Sequence, residues 1–142
     1  MPLRIIDYGT KEYQEMVDLR LQILRTPLGL SFTNEELEKE KDDILLGYFD
    51  EDVLEGCCLL TKTAPNTVRL RQMAVIFGLQ GKGIGRSLMA FAENVARDAG
   101  FKIITMHARK SAVGFYEKLD YKIASNEFEE VTIPHYVMEK NL

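Results

Sequence analysis

Tryptophan is absent from this chain, cysteine and histidine occur only twice each, and proline four times. The two cysteines, Cys57 and Cys58, are adjacent. Neighbours on a strand point to opposite faces, so this pair suits neither an ordinary disulfide nor a zinc site built from spaced Cys/His ligands. They read as small apolar strand residues, with a reactive thiol on an exposed face as the alternative. No apolar run approaches the roughly 20 residues needed to span a bilayer, and no positive-plus-apolar segment opens the chain, so no membrane partner is expected and a cytoplasmic location is. Positive charge is not in excess: 18 Lys and Arg stand against 22 Asp and Glu, a net charge of −4, which argues against a general nucleic-acid binder. Repeats, linkers and low-complexity segments are also missing. What remains is 142 residues, 46% hydrophobic and 28% charged, ordinary for one globular domain spanning 1–142 with a proper core.

The periodicities divide that domain. Leu3 to Tyr8 reads as a first strand. Thr10 can cap a helix whose buried face is Tyr13, Met16, Val17, Leu21 and Leu24, and Arg25 to Gly29 breaks it at Pro27. A short charged helix from about Asn34 to Asp42, capped by Thr33 or Asn34, reads as a solvated face or as part of a lid over an acceptor site. Ile44 to Asp50 and Val53 to Thr63 form a hairpin joined at Glu51-Asp52. Pro65-Asn66 then turns into Val68 to Ile76, apolar at alternate positions. Ile84, Leu88, Met89, Phe91, Ala92, Val95 and Ala96 recur at helical spacing before Gly100. Phe101 to His107 is strand-like, Ser111 to Tyr121 helical, and two further strands are expected at about Tyr121 to Phe128 and Ile133 to Glu139. The order is β-α-α-β-β-β-α-β-α-β-β, an α/β domain with a mixed sheet.

Between the fourth strand and the long helix lies Gln80-Gly81-Lys82-Gly83-Ile84-Gly85-Arg86. A strand that passes through glycines into a helix start makes a phosphate cradle. The main chain approaches an anion with no Cβ in the way, and the unpaired N–H groups and dipole of the first helical turn face it. The dinucleotide pattern G-x-G-x-x-G fails, because counting from Gly81 its last position is Arg86 and from Gly83 it is Leu88. The mononucleotide loop fails as well: Gly78 and Gly81 are too close, and Gly83 stands where a hydroxyl residue belongs.

Gln-x-x-Gly-x-Gly does match, and it resembles the acyl-CoA pyrophosphate loop of the GCN5-related N-acetyltransferases. A second stretch agrees. That family carries A-x-x-F-Y-x-x-x-G-[F/Y] after the next strand, and Ala112, Phe115, Tyr116 and Tyr121 fit it, with Asp120 in place of the glycine. Asp tolerates a left-handed backbone, so a helix end there is preserved. The two motifs cover Val68 to Tyr121, and small bacterial acetyltransferases are the nearest group.

The resemblance implies a GNAT-like sheet, mostly antiparallel and flanked by helices, and transfer of acetyl from acetyl-CoA to a primary amine of a small molecule, peptide or protein. It implies that main chain near Met73, Ala74 and Val75 pairs with the pantetheine arm like an added strand. Gly81 to Arg86 would hold the pyrophosphate, with charge from Lys82 and Arg86; each is otherwise an ordinary surface cation. Tyr116 matches the family's general acid: a phenol with reference pKa about 10 is protonated at neutral pH and can donate to a departing thiolate of reference pKa about 8.5. Otherwise it is a core aromatic beside Phe115. Ser111 is expected to cap the helix of Tyr116, contact the cofactor, or both.

The base is less plain. Relatives place a carboxylate on the strand before the loop, where this chain has Arg69, Arg71 and Gln72. That departure casts doubt on direct deprotonation from this strand and fits an acidic acceptor. His135 is the best alternative base, with a structural imidazole as the competing reading. His107 stands near the cleft in a structural role, and Glu127, Glu129 and Glu130 are expected to be solvated. Arg109 replaces a polar amide common in relatives. No metal site is expected, and a homodimer is left open. A second function class is a non-catalytic acyl-CoA sensor or interaction module of the same fold, which the missing carboxylate favours and Tyr116 opposes.

Overall fold

Turn chemistry sets the frame of the structure, a computed structural model that describes residues 2–142. Glu51 and Asp52 both take positive φ, 47° and 70°, and close β2 (Ile44–Asp50) onto β3 (Val53–Ala64). Two left-handed residues in a two-residue loop match the twist of the strands they join. Val131 and Thr132, at φ 48° and 64°, do the same for β7 (Phe128–Glu130) and β8 (Ile133–Asn141). With β1 (Leu3–Ile6), β4 (Thr67–Val75), β5 (Ile103–Arg109) and β6 (Lys122–Ile123) they form one sheet of order β1-β2-β3-β4-β5-β8-β6, with β7 also paired to β8. Every pairing is antiparallel except β4 with β5. The tail holds one strand more than the sequence pattern suggested, because Ala124 to Glu127 leaves the ladder and splits the expected Tyr121 to Phe128 strand into β6 and β7.

Helices cover both faces. On one, α3 (Ile84–Asp98) lays Leu88, Met89, Ala92 and Ala96 against Cys58, Leu60, Val68, Leu70, Ile104 and Met106. The helix approaches β3 closely: a Cβ on Gly56 would come within 2.8 Å of the Ile84 Cγ2 methyl, so this crossing admits no larger residue. The helix ends as Gly100 foretold, with Gly100 N–H donating to the Arg97 carbonyl and Phe101 N–H to that of Ala96. On the other face, α1 (Lys11–Arg20) buries Tyr13, Met16 and Val17 against Leu45, Cys57, Leu59 and Ala74. Cys57 and Cys58 therefore point to opposite faces and both are fully buried, which removes the exposed-thiol alternative; burial pushes both thiols up, Cys57 to about 12.

The first helical region departs from expectation. Leu21 and Leu24 are only half-buried, and Leu19 and Arg20 take their place in the interior. The α-helix widens into a π-turn over Leu21–Arg25, which rotates the apolar face. Arg20 is fully buried, and its guanidinium meets Glu40 through two hydrogen bonds of 2.9 and 2.6 Å. Glu40 also accepts from the Tyr13 hydroxyl at 2.8 Å. The acid run after α2 (Asn34–Glu38) is thus not wholly a solvated face: Glu40, in the 3₁₀ turn Lys39–Asp42, is the anchor that fastens this segment to α1. Thr33 caps α2 in a capping box with Glu36.

Candidate active site

A bulge in β4 shapes the site. Cys57 pairs with Ala74 and Leu59 with Arg71, so Gln72 and Met73 together oppose Cys58. Gln72 takes φ 58° to make this possible. Pairing of β4 with β5 stops at Leu70 and Met106, while β4 stays with β3 as far as Val75 and β5 stays with β8 as far as Arg109. The two central strands part beyond that point. A cleft of about 1020 Å³ opens between them, lined by Arg71 to Val75 on one side and His107 to Arg109 on the other.

The chain leaves β4 at the cleft's rim. Gly81 and Gly83 take φ 84° and 89°, and a Cβ on either would meet no protein atom within 4 Å. These positions need glycine for backbone conformation and for the open space beside them, not for internal packing. Gly83 caps α3 with no side-chain partner, leaving the first-turn N–H groups uncovered by a side chain. Gln80 folds back, its Nε2 donating to the Val75 carbonyl at 3.1 Å. This fastens the loop to the strand and uses one of the main-chain acceptors that an added strand would otherwise meet. Lys82 and Arg86 are exposed at the rim.

The cleft brings together Met73, Ala74, Val75, Gln80 to Gly83, Gly85, Arg86, Tyr116 and His135. Two of the residues singled out in the sequence fall outside its lining. Ile84 is buried in the core beneath the loop, and Ser111 sits exposed in the 3₁₀ turn Lys110–Ala112. Ser111 does not cap α4 (Val113–Glu117), whose N-cap is Ala112 with no side-chain hydrogen bond; the intervening 3₁₀ turn moves the helix start two residues on.

Tyr116 is 7% exposed and packs edge-on against Phe115 and Tyr121, at ring-centroid distances of 5.0 and 5.9 Å. Its neighbour Tyr121 donates to Glu93 at 3.0 Å, whereas the Tyr116 hydroxyl has no hydrogen-bond partner among the described residues and borders the cleft. Burial, then the Cys58 thiol, pushes the Tyr116 phenol up, so it stays protonated well above neutrality. Asp120 takes φ 72° and closes α4 by donating its N–H to the Glu117 carbonyl, as the glycine-to-aspartate replacement allows.

Across the cleft lies a cluster that the sequence did not disclose. Glu130, expected to be solvated, lies with its Oε1 2.9 Å from His107 Nδ1, 3.9 Å from an Arg69 amino group, and its Oε2 3.7 Å from His135 Nε2. Burial raises the Glu130 carboxyl, but the His107 hydrogen bond and the charges of His107, His135 and Arg69 outweigh it and hold the group below the usual carboxylate range. His107 Nδ1 lies 2.9 Å from both the Glu130 carboxylate and an Arg69 amino group, so it donates to Glu130 when it carries a proton and accepts from Arg69 when it does not. His135 is buried, and its Nδ1 donates to the Ile133 carbonyl at 2.7 Å, which leaves Nε2 toward Glu130. The β7–β8 hairpin builds this cluster by pairing Phe128 with His135, which stack at 5.9 Å. Its only trace in the sequence is the alternation of His135 with Val137.

A family model for the GNAT acetyltransferase domain matches residues 25–142. Among curated proteins, YyaT of Bacillus subtilis strain 168, itself uncharacterized, is 27% identical over 106 residues, 75% of this chain and 70% of YyaT. For two further curated relatives the match spans 51% and 54% of their length. Among solved structures, a protein of Lactobacillus plantarum provisionally assigned as an N-acetyltransferase superposes with a TM-score of 0.87 at 23% identity, covering 100% of this chain and 99% of that one. A Bacillus subtilis acetyltransferase in complex with CoA has a TM-score of 0.76 at 21% identity, covering 99% and 97%. Its motifs, its parted central strands and the match to the family model over most of its length make this chain a member of the GNAT acetyltransferase family.

Proposed function

We propose that this protein transfers the acetyl group of acetyl-CoA to a primary amine by direct attack, with Tyr116 protonating the departing thiolate. One observation carries the reading. The parted edges of β4 and β5, the open glycine loop and the unpartnered Tyr116 hydroxyl face a single cleft.

The residues divide the work. The main chain of Met73, Ala74 and Val75 lines the freed edge of β4 and accepts an extended ligand as a further strand would, with the Val75 carbonyl shared with Gln80. The N–H groups of Gly81 to Arg86, at the start of a helix of 15 residues, hold the pyrophosphate, and Lys82 and Arg86 add positive charge. The attacking amine must lose its proton. His107 takes it at Nε2, oriented by the Glu130 carboxylate on Nδ1. His135, the base suggested by the sequence, is assigned a supporting role: it is buried and its side chain is only 5% exposed, whereas that of His107 is 30% exposed.

Two results are expected here. Gly83→Val forces a branched residue to φ 89° and puts methyl groups into the anion's space, so calorimetry on a folded variant should show acetyl-CoA affinity reduced by at least about tenfold; unchanged affinity removes the loop from the binding site. His107→Gln should lower kcat/KM by at least about tenfold, and His135→Gln should change it much less. The reverse pattern assigns the base to His135. Tight acetyl-CoA binding without turnover would favour the sensor reading.

A further inference from the structure

The charged residues lining the cleft are five arginines and one lysine, Arg25, Arg69, Arg71, Lys82, Arg86 and Arg109, against one carboxylate, Glu130. This surplus stands in a chain whose net charge is −4, so it is a property of the site and not of the composition. Lys82, Arg86 and Arg109 lie at or near the loop and the end of β5, where a polyphosphate is held under the reading above. Arg69 and Arg71 lie further back along β4, and Arg25 ends the Leu21–Arg25 turn. Arg25 is neutralised by Glu36 at 3.1 Å and rests on Phe32. Arg69 shares Glu130 with two histidines, has an amino group 2.9 Å from His107 Nδ1, and keeps its Nε buried without a hydrogen-bond partner among the described residues.

Arg71 is different. It is half-buried, and its hydrogen-bond partner is the Thr61 hydroxyl at 3.4 Å, a long contact; the Asp43 carboxyl, bonded to the same Thr61, feels its charge, but no ion pair closes on Arg71 among the described residues. It stands two residues from Arg69 on the same face of β4, and burial, then the charge of Arg71, holds the Arg69 guanidinium below its usual range. Two guanidiniums two residues apart in a partly dry cleft repel each other, with Glu130 held by Arg69 and two imidazoles and with Asp43 the carboxyl that senses Arg71; an anion joining the two would relieve that repulsion. A planar guanidinium is also the side chain best matched to a carboxylate or phosphate.

We propose that the acetyl acceptor is an amine that itself bears an anionic group, bound by Arg71 with Arg69 beside it. The inference rests on the acetyltransferase reading and adds the acceptor class. The amine lies toward the parted strands and Tyr116, and the anion lies back along β4. Ile23, Leu24 and Leu30 give the cleft an apolar wall that suits a short hydrocarbon spacer.

The test is steady-state acetylation, by the full chain, of three matched series of primary amines: ω-amino carboxylates, their carboxamides, and phosphate monoesters of the same spacing. The expected result is a kcat/KM for at least one anionic series about tenfold or more above the carboxamides, expressed mainly in KM, with the better series naming the anion. Arg71→Gln should bring the anion-to-amide ratio towards one, and Arg71→Lys should restore part of it. Carboxamides acetylated as well as both anionic series overturn the inference and leave the acetyltransferase reading standing. A preference that survives Arg71→Gln overturns the role of Arg71. No acetylation of any amine, with acetyl-CoA bound, overturns the enzymatic reading and this inference together.

Discussion

Tyr116→Phe should lower kcat by at least about tenfold, a floor set below the roughly 10²–10⁴-fold that a positioned general acid supplies. The substitution removes one oxygen and keeps the ring that packs against Phe115 and Tyr121. That oxygen makes no hydrogen bond among the described residues, so its loss strands no partner there and should leave thermal unfolding nearly unchanged. Acetyl-CoA affinity should also hold, because proton donation to the thiolate matters in the transition state and not in the bound ground state. Wild-type kcat in the variant, measured where chemistry limits turnover, would remove Tyr116 as the acid. Because burial raises the phenol, no alkaline limb assignable to Tyr116 should enter the rate profile near pH 8–9, where an unperturbed thiol would titrate.

Glu40→Ala destabilises the fold by about 3–5 kcal/mol, the usual cost of breaking a buried ion pair by removing one partner. Arg20 is fully buried and its Nε lacks a partner among the described residues, so the variant leaves a guanidinium resting on the Phe32 ring with its carboxylate gone and also frees the Tyr13 hydroxyl. The melting temperature should fall by roughly 10–15 °C for a domain of this size. The double variant Arg20→Met with Glu40→Leu should recover much of the loss, since apolar side chains can fill the site without a stranded charge. A single variant as stable as the parent would show that the pair is not a fastening. The consequence for activity follows from position. Glu40 ties the segment after α2 to α1, and α1 runs on into the Leu21–Arg25 turn that contributes Ile23, Leu24 and Arg25 to the cleft.

Local signals made much of this legible in the sequence. Glu51-Asp52, Thr10, Gly83 and Gly100 act through their own backbone or through neighbours within a few residues, and each stands where its chemistry required. The glycine loop and the Phe115-Tyr116 pair carried the family for the same reason. What escaped depended on contacts distant in sequence. Glu40 reads as one more acid in a charged run until Arg20 arrives from α1. Glu130 reads as solvated until the β7–β8 hairpin folds it against His107. Ser111 looked like a helix cap because Ser commonly is one, but a 3₁₀ turn displaced the helix start past it. The π-turn at Leu21–Arg25 shifted the buried face of α1 in a way that a strict 3.6-residue period does not foresee.

The central claim is catalysis at the parted strands, and release of CoA thiol from acetyl-CoA tests it most directly. The assay follows free thiol and N-acetyl product together across a panel of primary amines that includes anionic and neutral members, with Tyr116→Phe beside the parent. The account predicts amine-dependent thiol release matched one for one by product, and a rate lower by at least about tenfold in the variant. Firm acetyl-CoA binding with no thiol release for any amine would contradict it and mark the domain as a module that binds acyl-CoA without turning it over.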